Sequence, residues 1–239
     1  MDTSSGPSRD EDLEEAFGRI EAAVSGGETD LSRLGFWRLL RRVKADPELA
    51  TRWADVAGRI DRSAFESAVR PRFPVWFGNA ALLLGTAVGG LAVVVAMRAE
   101  DEFVAGVALV LAAGVWSVTV HDLAHWIVGR LVGIRFTCYF IGGPFPPRPG
   151  LKTDYATYLR TPAAARAWMH ASGALATKAA PFVALAFWWA TDAPAWAAWA
   201  CAALGAFEIA TDILFSRTSS DWKKVARERR IARALASSA

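Results

Sequence analysis

The sequence has few residues of the types that build disulfides, thiolate metal sites or strongly charged surfaces. Only two of its 239 residues are cysteine, Cys138 and Cys201, and they lie far apart without the spacing of a thiolate site. Charged residues make up 21% of the chain, and the formal net charge is only +3. Basic residues are not interleaved with aromatic ones, so nucleic acid is not an expected partner. This composition excludes a disordered chain and a disulfide-stabilised miniprotein.

Apolar residues are abundant instead, at 53% of the chain, and they are concentrated after Pro74. Four stretches are long enough to cross a hydrocarbon layer of about 30 Å. They cover approximately residues 75–97, 103–129, 171–190 and 194–215. We therefore predict an all-α integral membrane protein whose four-helix membrane domain spans residues 73–216.

The segments on either side of these stretches are polar. Residues 1–9 have no apolar periodicity and are expected to be disordered. Residues 10–72 predict a small helical domain of about four helices, in which Asp46 and Pro47 mark one helix start. Residues 217–239 form a basic tail.

The connections between the stretches differ in charge, which predicts their orientation. The middle connection and the tail are rich in Lys and Arg, whereas the other two links contain a single basic residue. By the positive-inside rule both termini and the middle connection are cytoplasmic, in a multi-pass protein of the cell membrane. Anionic lipid headgroups are the expected partners of the basic segments. The sequence predicts no oligomeric state.

The middle connection contains a candidate β element. Residues 134–141 form an alternating or β-branched run, and the Gly- and Pro-rich residues 142–150 cannot continue a helix. Such a strand could pair with an extended peptide. A rigid cytoplasmic loop is an equally good interpretation.

The second stretch contains a pattern typical of a metal site. His121 and His125 are four residues apart, so both imidazoles project from one side of a helix and can reach one ion. Asp122 follows the first histidine, where a carboxylate can act as general base toward an attacking water. The pattern is thus H-D-x-x-H, with Asp in place of the more usual Glu.

A hydrolytic zinc site needs a third protein ligand, and Asp212 in the fourth stretch is the predicted one. His121 and Asp212 each lie about 18 residues from the outer end of their stretch, roughly 27 Å along a helix, so their depths match. Glu208, one turn before Asp212, is an alternative ligand or an orienting partner. His170 opens the third stretch on the same side of the membrane.

The ionisable residues in these stretches have simpler interpretations as well. Ionisable residues inside a membrane are costly, which favours a functional site, but polar contacts between helices would also explain them. Lys178 is either a buried partner of Glu208 or Asp212, or a side chain that extends its charge to the membrane surface.

Over residues 103–222 the sequence resembles the site-2 protease family of intramembrane zinc metalloproteases. The resemblance rests on the residues 121–125, on the small-residue motif at 171–177 and on an aspartate in a later span. It implies that zinc is bound by His121, His125 and Asp212. It also implies that Asp122 is the general base and that Thr177 stands where the family has a substrate-binding Asn. The implied substrate is a transmembrane helix of another protein.

Two other functions remain open from the sequence. The chain could be a pseudoprotease that binds membrane proteins through the same groove, because Asp122 replaces Glu and Thr177 replaces Asn. A haem-binding bundle would use His170 together with His121 or His125, since a bis-histidine site needs ligands from different helices.

Overall fold

The computed structural model describes residues 9–142, 148–219 and 221–238. This part of the chain is mostly helical, with one three-stranded sheet. It divides into two compact units. The first comprises Met1–Arg72, Gly133–Pro162 and Ile231–Ala239; the second comprises Phe73–Val132 and Ala163–Arg230.

Four helices open the first unit. They are α1 (Arg9–Ser25), α2 (Phe36–Lys44), α3 (Pro47–Arg52) and α4 (Ala54–Ala68). The predicted start at Asp46 is confirmed, because its carboxylate accepts from the backbone N–H groups of Glu48 and Leu49. The chain leaves helical geometry at Trp53, and α4 begins at the next residue.

The core of the first unit is formed by the apolar faces of these helices and by a segment much later in the sequence. Helix α7 (Tyr155–Arg160) contributes Leu159, which is 2% exposed, to a cluster that contains Phe17 and Phe36. Gly58 of α4 lies so close to Ala156 that an added Cβ would come within 2.8 Å of the alanine Cβ. The helical domain predicted at residues 10–72 therefore shares its core with residues 155–160.

The sheet has the order β1 (Arg72–Phe73), β2 (Phe136–Gly142) and β3 (Arg148–Thr153). Strand β2 confirms the β element predicted between the second and third apolar stretches, and it pairs antiparallel with β3. Residues 148–150 of the Gly- and Pro-rich segment belong to β3, and residues 143–147 lie outside the described part of the chain. Lys152 of β3 forms a 2.6 Å ion pair with the buried Asp61 of α4.

The second unit contains four helices long and apolar enough to cross a membrane. They are α5 (Val75–Arg98), α6 (Glu102–Leu131), α8 (Ala163–Phe187) and α9 (Ala195–Ser219). Helix α6 packs against the other three, with small residues such as Ala105 and Ala184 buried between them. Large apolar side chains such as Leu84 and Phe207 point outward. This confirms the predicted helical architecture.

Two elements of the second unit differ from the prediction. Helix α8 begins at Ala163, eight residues before the predicted third span, and a short 3-10 turn, Trp188–Ala190, follows it. The basic tail is largely an additional helix, α10 (Asp221–Ser238).

Candidate metal centre

Helix α6 presents two imidazoles on one side. Its first turn is capped by Asp101, whose carboxylate accepts from the backbone N–H of Val104, and its apolar sequence continues the helix to Leu131. The rings of His121 and His125 lie one turn apart with their centroids 4.7 Å from each other. His125 is buried, and His121 is half-buried.

Asp221, the first residue of α10, faces both rings. Its Oδ2 atom lies 3.3 Å from His121 Nε2 and 3.2 Å from His125 Nε2. The three ligand atoms all lie within 4.8 Å of one another. In a tetrahedral zinc site with metal–ligand distances near 2.0–2.1 Å, neighbouring ligand atoms are about 3.3 Å apart. The two measured N···O separations match that spacing.

The other nitrogen of each imidazole is engaged by helix α8. His125 Nδ1 lies 2.7 Å from the Met169 carbonyl oxygen, which can only accept, so this nitrogen donates. His121 Nδ1 lies 2.9 Å from Thr177 Oγ1. Because the threonine hydroxyl donates to the Gly173 carbonyl oxygen at 3.1 Å, it accepts from His121. In its neutral form each imidazole therefore presents an unprotonated Nε2.

This arrangement fits a metal ion. Two unprotonated Nε2 atoms and a carboxylate oxygen are all acceptors, so at these separations a proton or a cation must lie between them. Hydrogen bonds that fix Nδ1 and leave Nε2 free are those that orient metal-binding histidines. The group His121, His125 and Asp221 could thus hold a metal ion.

The Asp221 carboxylate is itself held in place. Its other oxygen, Oδ1, accepts from Lys224 Nζ at 2.9 Å, which leaves Oδ2 directed at the imidazoles. Burial raises the pKa of the Asp221 carboxyl, but when Nε2 carries a proton, hydrogen bonds from the two histidines, together with the Lys224 ammonium, outweigh burial and hold that pKa well below its usual value. The carboxyl is therefore ionised, as a metal ligand must be.

Gly173 makes room for the site. A Cβ atom added there would come within 2.7 Å of both Cδ2 and Cε1 of His125. Only a residue without a side chain lets the imidazole lie flat against α8 at this point. Gly173 is the third residue of the small-residue motif at 171–177, so that motif has a direct packing role beside the histidines.

Helix α10 reaches the site because one of its faces is docked on α8 and α9. Val225 packs with Ala167 and Ala171 of α8. One turn further on, the buried Glu228 accepts from Arg166 Nε at 2.7 Å, and both side chains are almost fully enclosed. These contacts set the position of Asp221 opposite α6.

The carboxylate that meets the histidines differs from the predicted one. Asp212, predicted as the third ligand, instead forms a 2.7 Å ion pair with Lys178 and accepts a hydrogen bond from Trp222 Nε1. Of the two interpretations of Lys178, the structure therefore agrees with the one in which Lys178 pairs with Asp212. Asp221 takes the place beside His121 and His125.

The remaining predicted residues lie around this group. Glu208 is not among the three converging residues, and its buried Oε2 atom has no hydrogen-bond partner within the described part of the chain. His170 is buried in α8 and interacts electrostatically with Asp221 and His125. Thr177 orients His121, as described above. Asp122 is half-buried directly after His121, and within the described ranges it makes no hydrogen bond or ion pair.

Sequence reasoning missed Asp221, although a signal for it existed. Asp221 follows the last apolar stretch in a charged segment, where hydropathy and span depth do not indicate a ligand. An Asp directly before the spacing Trp222, Val225 and Glu228 is typical of a helix that starts there with one buried face.

Comparison with protein-family models, with curated proteins and with solved structures found no match to the chain.

Proposed function

We propose that the chain is an intramembrane zinc metallopeptidase that hydrolyses a peptide bond in or near a transmembrane helix of another protein. The observation that carries the proposal is the convergence of His121 Nε2, His125 Nε2 and Asp221 Oδ2 among helices apolar enough to cross a membrane. The H-D-x-x-H pattern and the likeness of the motifs to site-2 proteases support it from the sequence.

Each residue of the group has a role in this proposal. His121, His125 and Asp221 would hold zinc, and the bound ion would supply Lewis acidity toward a carbonyl group and a water molecule. Asp122 takes the proton from the attacking water and passes it to the leaving amine. A substrate helix hides its carbonyl oxygens in hydrogen bonds, so it must unwind locally before attack.

The proposed setting is the cell membrane, with both termini and the metal centre on the cytoplasmic side. The distribution of Lys and Arg supports this orientation. Anionic headgroups of the cytoplasmic leaflet are then within reach of the basic segments.

A metal-binding pseudoprotease is the second candidate, and one observation favours it. Asp122 is one methylene shorter than Glu and, among the described residues, has no partner that directs it toward the metal centre. Such a protein would bind membrane helices without cutting them. The haem alternative has less support, because both Nε2 atoms face a carboxylate; the absence of a Soret band from the purified protein would exclude it.

The metal is tested first, by elemental analysis of the detergent-purified protein. We expect about one zinc per chain in the wild type, and loss of that zinc in His125→Ala and in Asp221→Ala. Asp212→Asn is the matched control, since it changes a nearby carboxylate that pairs with Lys178; it should retain zinc. Retention of zinc by Asp221→Ala and loss by Asp212→Asn would return the ligand role to Asp212.

Cleavage is then tested with Asp122→Asn in cells that express either form at equal levels. New peptide ends inside the spans of host membrane proteins, found by mass spectrometry, should depend on Asp122 and on His125. Loss of a general base lowers the rate by roughly 10²–10⁴-fold, while zinc content should not change. Zinc binding with identical peptide ends in both forms would contradict the peptidase and favour the pseudoprotease.

A further inference from the structure

Helix α10 has two chemically different faces. One face, which we call the docked face, consists of Asp221, Trp222, Val225 and Glu228. Asp221 lies against the histidines, Trp222 donates to Asp212, Val225 packs on α8 and Glu228 binds Arg166. Both acidic residues of α10 lie on this docked face.

The opposite face of α10 is basic and exposed. Lys223, Arg227 and Arg230 are spaced four and three residues apart, so they lie in one row along the helix. All three are exposed, and no acidic residue of α10 shares their side of the helix. We call these three residues the basic face.

The contacts of α10 place the basic face at the boundary of the apolar helices. Val225 packs on Ala167 and Ala171, which belong to the first turns of the candidate span Ala163–Ala190. Arg166, the partner of Glu228, lies in the same turns. A row of cations at the end of a membrane-crossing helix is complementary in charge to anionic phospholipid headgroups.

We propose that anionic phospholipid headgroups bind the basic face and thereby strengthen metal binding at His121, His125 and Asp221. The coupling follows from the covalent structure: Asp221 and the basic face belong to the same helix. Headgroups that favour the docked position of α10 also favour the position in which Asp221 meets the histidines. By linkage, bound metal strengthens lipid binding by the same factor.

This inference rests on the metal centre of the proposed function, and it is tested by measuring zinc affinity in lipid nanodiscs. The full chain is placed either in phosphatidylcholine or in equal parts of phosphatidylcholine and phosphatidylglycerol. Zinc affinity is then measured by competition with a fluorescent chelator. We expect roughly tenfold tighter zinc binding in the anionic nanodiscs, within the usual range of coupling between two sites.

Two variants connect this effect to the basic face. Lys223→Gln combined with Arg230→Gln should reduce the lipid effect to less than about twofold, and the corresponding double change to Glu should reverse its sign. Arg227 is kept, because it also contacts Glu228. Arg38→Gln with Arg41→Gln is the matched control: it removes the same charge from exposed positions of α2 and should behave like the wild type.

The outcomes separate the inference from the metal centre. Equal zinc affinity of the wild type in both lipids would overturn the inference and leave the metal centre intact. An undiminished lipid effect in the Gln double variant would also overturn it, since zinc would then only be concentrated by the charged surface. Zinc binding that is unaffected by His125→Ala would overturn both proposals.

Discussion

Gly173 is the residue whose lack of a side chain allows the His125 imidazole to lie against α8. An alanine Cβ at this position would come within 2.7 Å of two ring carbons, so the ring or the helix backbone would have to shift. The ring is held by its hydrogen bond to the Met169 carbonyl, and the same carbonyl also accepts from Ser172.

We therefore expect Gly173→Ala to displace the imidazole and to weaken zinc binding by about 10–100-fold, as changes around metal ligands usually do. Zinc affinity by chelator competition is the measurement. Gly114→Ala is the control, since an added Cβ there meets nothing within 4 Å. Unchanged affinity in Gly173→Ala would mean that His125 does not bind the ion in the position described.

The histidines could be predicted from the sequence because the four-residue spacing alone brings them to one side of a helix. The third ligand could not be predicted in the same way, since its position depends on how α10 docks on α8 and α9. Matching depths along two apolar stretches favoured Asp212, which does lie near the site but is neutralised by Lys178. Which carboxylate meets the histidines was decided by tertiary contacts.

At the scale of elements, the position of α10 depends on a buried ion pair. Glu228 is fully buried and Arg166 is 3% exposed, so water reaches neither charge; Glu228 also accepts from Arg227 Nε at 3.2 Å. Such a pair adds little net stability compared with apolar residues, but breaking it is costly.

Glu228→Gln should lower the free energy of unfolding of the second unit by about 3–5 kcal/mol. It should also weaken zinc binding, because α10 carries Asp221. The measurements are thermal unfolding in detergent and the rate of tryptic cleavage after Lys223 and Lys224, which should rise when α10 leaves its docked position.

Replacement of both partners, Arg166→Met with Glu228→Met, should recover much of the lost stability, since no uncompensated charge is then left. Arg229→Gln is the control, because it removes an exposed cation from the same helix; its effect should stay within about 0.5 kcal/mol. Glu228→Gln without any change in unfolding or cleavage would show that α10 is not held by this pair.

The elements differ in how well the sequence predicts them. Hydropathy predicts the four apolar helices because each corresponds to a run of apolar residues long enough to cross a membrane. Strand β3 was missed, since Pro149 and Gly150 are unfavourable in strands; they are tolerated here because β3 pairs on one side only, with β2. Helix α10 was predicted only as a charged tail, because its docked face contains few apolar residues.

At the scale of the whole molecule, the first unit is assembled from segments that are far apart in the sequence. The apolar helices α5 and α6 lie between residues 1–72 and residues 133–162, yet both segments build one core. The sequence predicted a helical domain at residues 10–72. Local sequence patterns do not indicate that Leu159, from a distant segment, belongs to its core.

Leu159→Ala should therefore destabilise α1 and α2, although the change lies more than a hundred residues away in the chain. The loss of a leucine side chain from a closed core costs about 2–5 kcal/mol. Hydrogen exchange of the α1 and α2 amides is the measurement, and it should accelerate. Ile141→Ala serves as the control, because this side chain is 40% exposed; unchanged exchange in Leu159→Ala would show that residues 10–72 fold without α7.

The order of the three candidate metal ligands in the chain has a consequence for biosynthesis. His125 and Asp221 are separated by 96 residues. At a translation rate of about 5–20 residues per second, the ribosome completes the ligand set roughly 5–20 s after it has made the histidines. All four apolar helices precede Asp221 in the chain, so the metal centre is finished only after every one of them has been synthesised.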